Sequence, residues 1–223
     1  MAVTPAALIS RRTLVATALL TACAAPALAA VPPSGRIAFD ALRKGHRIGQ
    51  HVLSFSQADG LTTVRTEVEF AVGIGPITFY RYALHSTERW RDNQFQGLES
   101  HTEATDGHYR VTSERTREGV VVEGGKGGKG GRQNLGPAAA PLSHWNMEAT
   151  RPPLFNPQDG KSLRLTPSRS RVEFNAGRLG QVAATRVTLS GEMQVVDYYD
   201  AQGLWIGLDA KAKDGSLVQY RRA

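Results

Sequence analysis

The sequence predicts an all-β domain: a single, strongly curved, mostly antiparallel meander that forms a half-barrel or open barrel. Three observations predict it. After Ser34 the chain falls into short segments rich in Val, Ile, Thr, Tyr and Phe, with turn residues every eight to fifteen positions. Pairs such as Lys44-Gly45, Asp59-Gly60, Asp92-Asn93, Asp106-Gly107, Glu118-Gly119, Gln202-Gly203 and Asp214-Gly215 supply the positive φ that tight hairpins need. No segment carries a convincing helical period, whereas Arg186-Val187-Thr188-Leu189-Ser190 and Trp205-Ile206-Gly207-Leu208-Asp209-Ala210 alternate like strands with one buried face.

The first 29 of the 223 residues stand apart. Arg11-Arg12 precede the charge-free run Leu14–Leu20, and small residues follow to Ala30, the pattern of a bacterial export signal. Ser10-Arg11-Arg12-Thr13-Leu14-Val15 resembles the twin-arginine signal, with Val15 and Ala16 departing from its usual end, and a general secretory signal fits as well. Two processing sites compete. Ala27 and Ala29 favour cleavage before Ala30 and a soluble periplasmic product; Leu20-Thr21-Ala22-Cys23 resembles a lipoprotein box that would lipidate Cys23 and tether the domain to a membrane. Cys23 is the sole cysteine, so residues 30–223 must fold without a disulfide or a cysteine metal site. Loss of Arg11 and Arg12 lowers the net charge from +7 to +5, still basic enough to favour anionic envelope polymers or lipid head groups, although a solvated basic surface needs no partner.

Within residues 30–223, read as one domain, strands are expected near 36–43, 48–57, 61–72, 77–90, 95–105, 108–116 and 119–123. After an interruption they resume near 162–166, 170–175, 181–190, 192–200, 204–212 and 216–221. The interruption has two parts. Residues 124–141, running from Gly124-Gly125-Lys126 to Pro141, have a composition expected to bury no face and to form a mobile loop. Residues 150–161 form a Pro-rich excursion.

The frame Phe39-Asp40-Ala41-Leu42-Arg43-Lys44-Gly45 with Ile48-Gly49, Tyr80-Arg81-Tyr82 before Glu88-Arg89-Trp90, Ser143-His144-Trp145-Asn146, and Tyr198-Tyr199-Asp200 leading into Leu204-Trp205-Ile206-Gly207-Leu208 resembles an uncharacterised family of exported bacterial domains of unknown function. The resemblance spans essentially the whole chain after the export segment. It implies an architecture like the antiparallel half-barrels of lipoprotein carriers, and it implies no activity.

Chemical motifs are scarce. Gly125, Gly127 and Gly130 fit G-x-G-x-x-G formally, but Pro137 and Pro141 follow where a dinucleotide site needs a helix, and Gly rather than Ser or Thr follows Lys126 and Lys129. Lys126, Lys129 and Arg132 remain candidate contacts for an anion. Nucleic acid is not expected as a partner, because no aromatic residue is interleaved with these charges. There is no G-x-S-x-G elbow and no H-E-x-x-H pair, so no catalytic residue is assigned and enzyme activity stands as the lesser expectation. Asp197, Asp200 and Asp209 are read mainly as solvated residues near hairpins, with an acid/base role as the alternative.

No cofactor is implied, and no metal site is expected. A two-residue turn at Asp92-Asn93 would place Leu84 opposite His101, His85 opposite Ser100 and Tyr82 opposite Glu103, so that the two imidazoles diverge; a three-residue loop would reverse this. The same register sets Trp90 opposite Phe95 and gives one face a ladder of Tyr80, Tyr82, Leu84, Trp90 and Phe95. With no helix to cover that face, either loops pack on it or an apolar, lipid-like ligand does. His144-Trp145-Asn146, at a loop junction, joins the ladder as a candidate ligand neighbourhood; the plain alternative has Trp145 plugging the barrel and Asn146 bonding a turn. The expectation is an exported envelope protein that binds an apolar ligand without bond chemistry. The other readings are an interaction module for envelope proteins, through strand edges or the basic loop, and an unrecognised hydrolase or isomerase using His144 or the Asp197–Asp200 region.

Overall fold

The computed structural model describes residues 31–74, 77–212 and 214–223. Residues 1–29, expected to be an export signal, and with them Cys23, lie outside the described residues. The first meander comprises β1 (Arg36–Arg43), β2 (His46–Ala58), β3 (Leu61–Ile74), β4 (Ile77–Arg91), β5 (Gln94–Ala104), β6 (Gly107–Arg115), β7 (Val120–Lys126) and β8 (Arg132–Leu135). The chain then leaves the sheet through β9 (Ala140–Pro141), a short 3-10 helix (Met147–Thr150), β10 (Leu154–Phe155) and β11 (Ser162–Leu163). A second meander follows: β12 (Leu165–Asn175), β13 (Gln181–Gly191), β14 (Gln194–Tyr199), β15 (Trp205–Lys211) and β16 (Leu217–Arg222).

Antiparallel pairing of β16 with β1 fuses the two meanders into one 13-stranded sheet in the order β12 to β16 followed by β1 to β8. The sheet is not closed: β12 and β8 are its two edges. One face of nearly every strand contributes to a single apolar cluster, from Val64, Leu98, Val111 and Val122 in the first meander to Val187, Leu189 and Leu208 in the second. A flat sheet of this width cannot bring those residues together, so the sheet curls around its inner face.

Residues 136–164 fill half of that concavity. Ala139, Ala140, Trp145, Leu154 and Phe155 are all buried, and β9, β10 and β11 form a small sheet of their own against the inner wall. Trp145 stands edge-on to Trp90 (ring centroids 5.6 Å apart) and to Phe55 (5.4 Å), while Phe155 meets Phe95 at 5.9 Å. Covering of the concave face by a loop is therefore realised over this half.

The strand pattern holds, with three corrections. Residues 124–141 are not an unstructured loop. Gly124 and Gly125 continue β7, Gly127 and Gly128 make the turn with φ of 63° and 70°, and Ala139–Pro141 lie in the core. Gly130 passes so close to Gly124 that a Cβ on it would sit 1.1 Å from the Gly124 carbonyl oxygen, so the glycines permit close backbone approach rather than disorder. The second correction concerns the β4–β5 hairpin. Asp92 and Asn93 both adopt the left-handed conformation, at φ 48° and 63°, and Trp90 faces Phe95 as expected. A bulge then shifts the register by one, so Leu84 faces Thr102, Tyr82 faces Ala104 and His85 faces His101. The two imidazoles meet, but on the exposed outer face, and no group of three metal-binding side chains occurs among the described residues. Third, Asp197 is not a solvated turn residue: it lies within β14 and is fully buried.

If the 136–164 segment is part of the cooperative unit, Trp145→Ala should cost about 3–5 kcal/mol in urea unfolding, as truncation of a buried tryptophan does. A loss under about 1 kcal/mol would show that the segment is a detachable cover.

Candidate functional site

The tripeptide Ser143-His144-Trp145 crosses the concavity and bonds to a buried carboxylate on each half of the sheet. On β4, alternation turns Leu84, Ser86, Glu88 and Trp90 inward, and Glu88 accepts hydrogen bonds from Trp90 Nε1 (2.8 Å), Trp145 Nε1 (3.2 Å) and Ser143 Oγ (3.0 Å). On β14, Val195, Asp197 and Tyr199 share the inner face. Asp197 accepts from Trp205 Nε1 at 3.0 Å through Oδ1 and pairs with His144 Nδ1 at 3.0 Å through Oδ2. The Tyr199 hydroxyl donates to the His144 carbonyl oxygen at 2.7 Å, and the imidazole stacks on Trp205 with the rings 19° from parallel.

These contacts set the charge states. Burial works against the His144 imidazolium, but the Asp197 charge, its hydrogen bond and the more distant Glu88 outweigh it, so the pKa is raised above the ordinary histidine value. Burial pushes the Glu88 carboxyl up, against the pull of its three donors and of His144. His51, on the inner face of β2, is the opposite of His144. It is 5% exposed among the rings of Phe39, Trp205 and Tyr220, and neither of its nitrogens has a hydrogen-bond partner. Burial first, then the nearby His144 charge, lowers its pKa to about 3, so it is neutral at every physiological pH.

Where residues 136–164 stop, a cavity of about 340 Å³ remains between them and the sheet. His51, Leu53, Leu84, His144, Trp205 and Tyr220 line its interior, with Phe70, Tyr80, Tyr82, Met193 and Ala210 nearer the opening. Phe70, Tyr80 and Tyr82 also border an open groove of about 680 Å³, which continues past the exposed Phe79. His144 lines the cavity, and of its ring nitrogens only Nδ1 is hydrogen-bonded among the described residues. Ser143, next to it in sequence, gives its hydrogen to Glu88, so no hydroxyl nucleophile is assembled on this imidazole. The arrangement sets an imidazole, paired with Asp197, in the wall of a cavity of mixed apolar and polar lining.

Of the residues expected at the ligand site, Tyr80, Tyr82, Leu84 and His144 line the cavity. Trp90, Phe95 and Trp145 do not: they are packed under the crossing segment. Asn146 caps the 3-10 helix, its Oδ1 accepting from the Glu148 amide at 3.1 Å. Lys126 and Lys129 sit at the β7–β8 turn, and Arg132 pairs with Glu123 at 3.0 Å; none of the three lines the cavity. His51, Glu88, Trp205 and Tyr220 were not expected at a ligand site, and Asp197 was expected only as an alternative acid/base residue. Strand parity could have found them, because each falls on the inward beat of a strand already assigned: 51 with 53, 88 with 84, 197 with 195.

Fold and site together define an open antiparallel half-barrel with its concave face partly filled from within and a small cavity left beside the filling. The chain belongs to the DUF6134 family, a domain of unknown function, whose pattern matches residues 39–223. It is similar in structure to a beta-barrel-like protein of the domain of unknown function DUF1849 from Brucella abortus. The TM-score is 0.55 at 11% sequence identity, over 84% of this chain and 95% of that one, a likeness of fold. No curated protein matches.

The unpartnered His51 predicts an acid sensitivity. Its folded-state pKa lies below that of the unfolded chain, so the stability linked to its neutrality is complete above about pH 6.5 and is lost as the pH falls toward 3. His51→Phe, which keeps an aromatic ring among the others, should flatten the pH dependence of chemical unfolding in that window by roughly 1.4 kcal/mol per pH unit. Parallel wild-type and variant profiles would show that His51 is not held neutral.

Proposed function

We propose that this domain is a non-enzymatic binding protein of the bacterial envelope that holds a small apolar or amphiphilic ligand in the cavity between the curved sheet and the 136–164 segment. The observation that carries this reading is the cavity itself. At about 340 Å³ it falls within the range of small-molecule sites, and its walls combine aromatic and aliphatic side chains such as Leu53, Val68, Phe70, Leu84 and Trp205 with polar groups that include Thr66, Ser86, His144 and Gln158. Phe70, Tyr80 and Tyr82 are shared with an adjoining open groove, whose walls also carry Phe79, Glu69, Arg81, Glu103 and His108. Burial alone can supply the affinity. At about 0.8 kcal/mol per methylene, ten methylenes contribute on the order of 8 kcal/mol before the cost of ordering. The export-signal pattern of residues 1–29 supports action in the periplasm, with tethering to a membrane if Cys23 is lipidated.

Native mass spectrometry of the processed protein recovered from a bacterial envelope tests the reading. An extractable apolar mass is expected on the wild type and not on Leu84→Asp, which places a charge in the cavity wall, or on Ala210→Trp, which fills the cavity from a half-buried position. A clean apo mass on the wild type, with no thermal shift from twelve-carbon amphiphiles, would overturn it.

A further inference from the structure

We propose that the end of the half-barrel carrying the β3–β4 hairpin docks on an anionic lipid surface, with the rings of Phe79 and Tyr80 entering the head-group layer and the lysines of neighbouring turns lying against lipid phosphates. This goes beyond the cavity-binding reading and stands or falls separately from it.

The first argument is where the hairpin stands. β3 pairs with β2 as far as Phe70, opposite Gly49, and β4 is held to the β5 side as far as Arg81, whose amide and carbonyl bond to Thr105. Beyond these points the two strands pair only with each other among the described residues, Val72 with Tyr80 and Gly73 with Thr78. A two-stranded ribbon with no sheet beside it is marginal in water. From Val72 to Tyr80 the sequence carries no charged residue, so the ribbon extends uncharged chain past its neighbours at the end of the domain.

The second argument is where apolar side chains are left in water. Among the described residues the large exposed ones are Phe79 (58%), Leu179 (51%), Leu217 (45%) and Tyr80 (43%). Antiparallel order puts the β1–β2, β3–β4, β5–β6, β7–β8 and β15–β16 turns at one end of the sheet, and Phe79, Tyr80 and Leu217 all belong to that end; Leu179, in the β12–β13 turn, lies at the other. A single exposed leucine needs no explanation, but a phenylalanine and a tyrosine side by side on a protruding ribbon match the rings that sit at lipid head-group level.

The third argument is charge, and it selects the occupant. Lys44, Arg81, Lys126, Lys129 and Lys211 are exposed at this end, and none of them makes an ion pair among the described residues. Other charges here are matched: Arg43 with Asp214, Arg164 with Glu192 at 2.8 Å, and Arg132 with Glu123 at 3.0 Å. Counting Glu69, Glu103 and Asp106 against the five cations still leaves this end positive. Apolar rings ringed by unpaired lysines are the composition that binds at an anionic bilayer surface. The same charge disfavours a second copy docked end to end, which would bring like signs together.

The test is flotation of the exported protein, carrying Cys23→Ser so that no acyl chain contributes, with vesicles of phosphatidylcholine alone and with vesicles in which phosphatidylglycerol replaces a third of it. Binding to the anionic vesicles should be about tenfold or more tighter than to the neutral ones. Phe79→Ser keeps every charge and lies outside the cavity, and it should weaken binding to the anionic vesicles about fivefold or more without moving the melting temperature. Lys126→Glu combined with Lys129→Glu should weaken it comparably. No flotation with anionic vesicles overturns the proposal, and so does equal flotation of Phe79→Ser and its parent, which would show adhesion by charge alone. A concentration-dependent dimer lost in Phe79→Ser, without flotation, would assign the ribbon to a second copy and overturn the lipid surface. Should Phe79→Ser not fold, Phe79→Trp decides: a blue shift of its emission with anionic vesicles supports insertion, and an unchanged emission overturns it. None of these outcomes alters the extractable mass by which the cavity reading is judged.

Discussion

Glu88 and Asp197 hold the crossing segment to the sheet, and the form of the interior follows from how they do so. Each carboxylate is buried on the inner face of a strand, one in each meander, and each takes an indole N–H from the sheet: Trp90 for Glu88, Trp205 for Asp197. Each then takes what remains from the three consecutive residues Ser143, His144 and Trp145. A segment with little regular pairing of its own is thereby bonded at two points on opposite walls. A buried carboxylate without such partners would cost several kcal/mol, so the sheet and the segment satisfy one another, and neither surface is complete alone.

Sheet topology determines why such a segment is required. The two meanders join through β1 and β16, which leaves β12 and β8 as edges and the 136–164 connection as the link between them. A connection between the far edges of a curled sheet can run around the outside or through the concavity. Here the small side chains of Ala139 and Ala140 and the large rings of Trp145 and Phe155 carry it through the concavity. Other hydrogen bonds fix its ends. The Arg115 guanidinium donates to the Phe95 and Pro137 carbonyls, and the Leu142 amide donates to Phe155 O at 2.8 Å.

The long strands were legible in the sequence because alternation and turn chemistry are local properties, and local properties decide them. The short strands β8 to β11 were not, because they pair only where tertiary packing holds them. Gly124–Gly131 shows the difference sharply: the composition that reads as a free linker in isolation is what close passage of two backbones requires. The bulge next to Phe95 is a further case, since one extra residue moves His85 from Ser100 to His101 without any sequence signal comparable to a turn. At the site, His144 was legible as a loop residue between biased segments. Asp197 was misread because its neighbourhood of tyrosines and aspartates looks like a strand end. One partner, Trp205, lies across the next hairpin and the other, His144, comes from 53 positions away, so only the inward parity of Val195, Asp197 and Tyr199 was available to correct the reading.

The two imidazoles beside Trp205 show where local consistency gives way. His144 is fully provided for: a carboxylate on one nitrogen, an aromatic face beneath the ring, a tyrosine hydroxyl on its carbonyl. His51, on the same tryptophan at 5.2 Å, is provided with nothing but rings. A leucine or phenylalanine at position 51 would remove two unpaired nitrogens from the interior and satisfy the packing equally well. Asn146 Nδ2, Ser113 Oγ and a few other buried polar atoms are also left unpaired, but His51 leaves both ring nitrogens so, beside a cavity, a local cost of the kind that needs a physical reason.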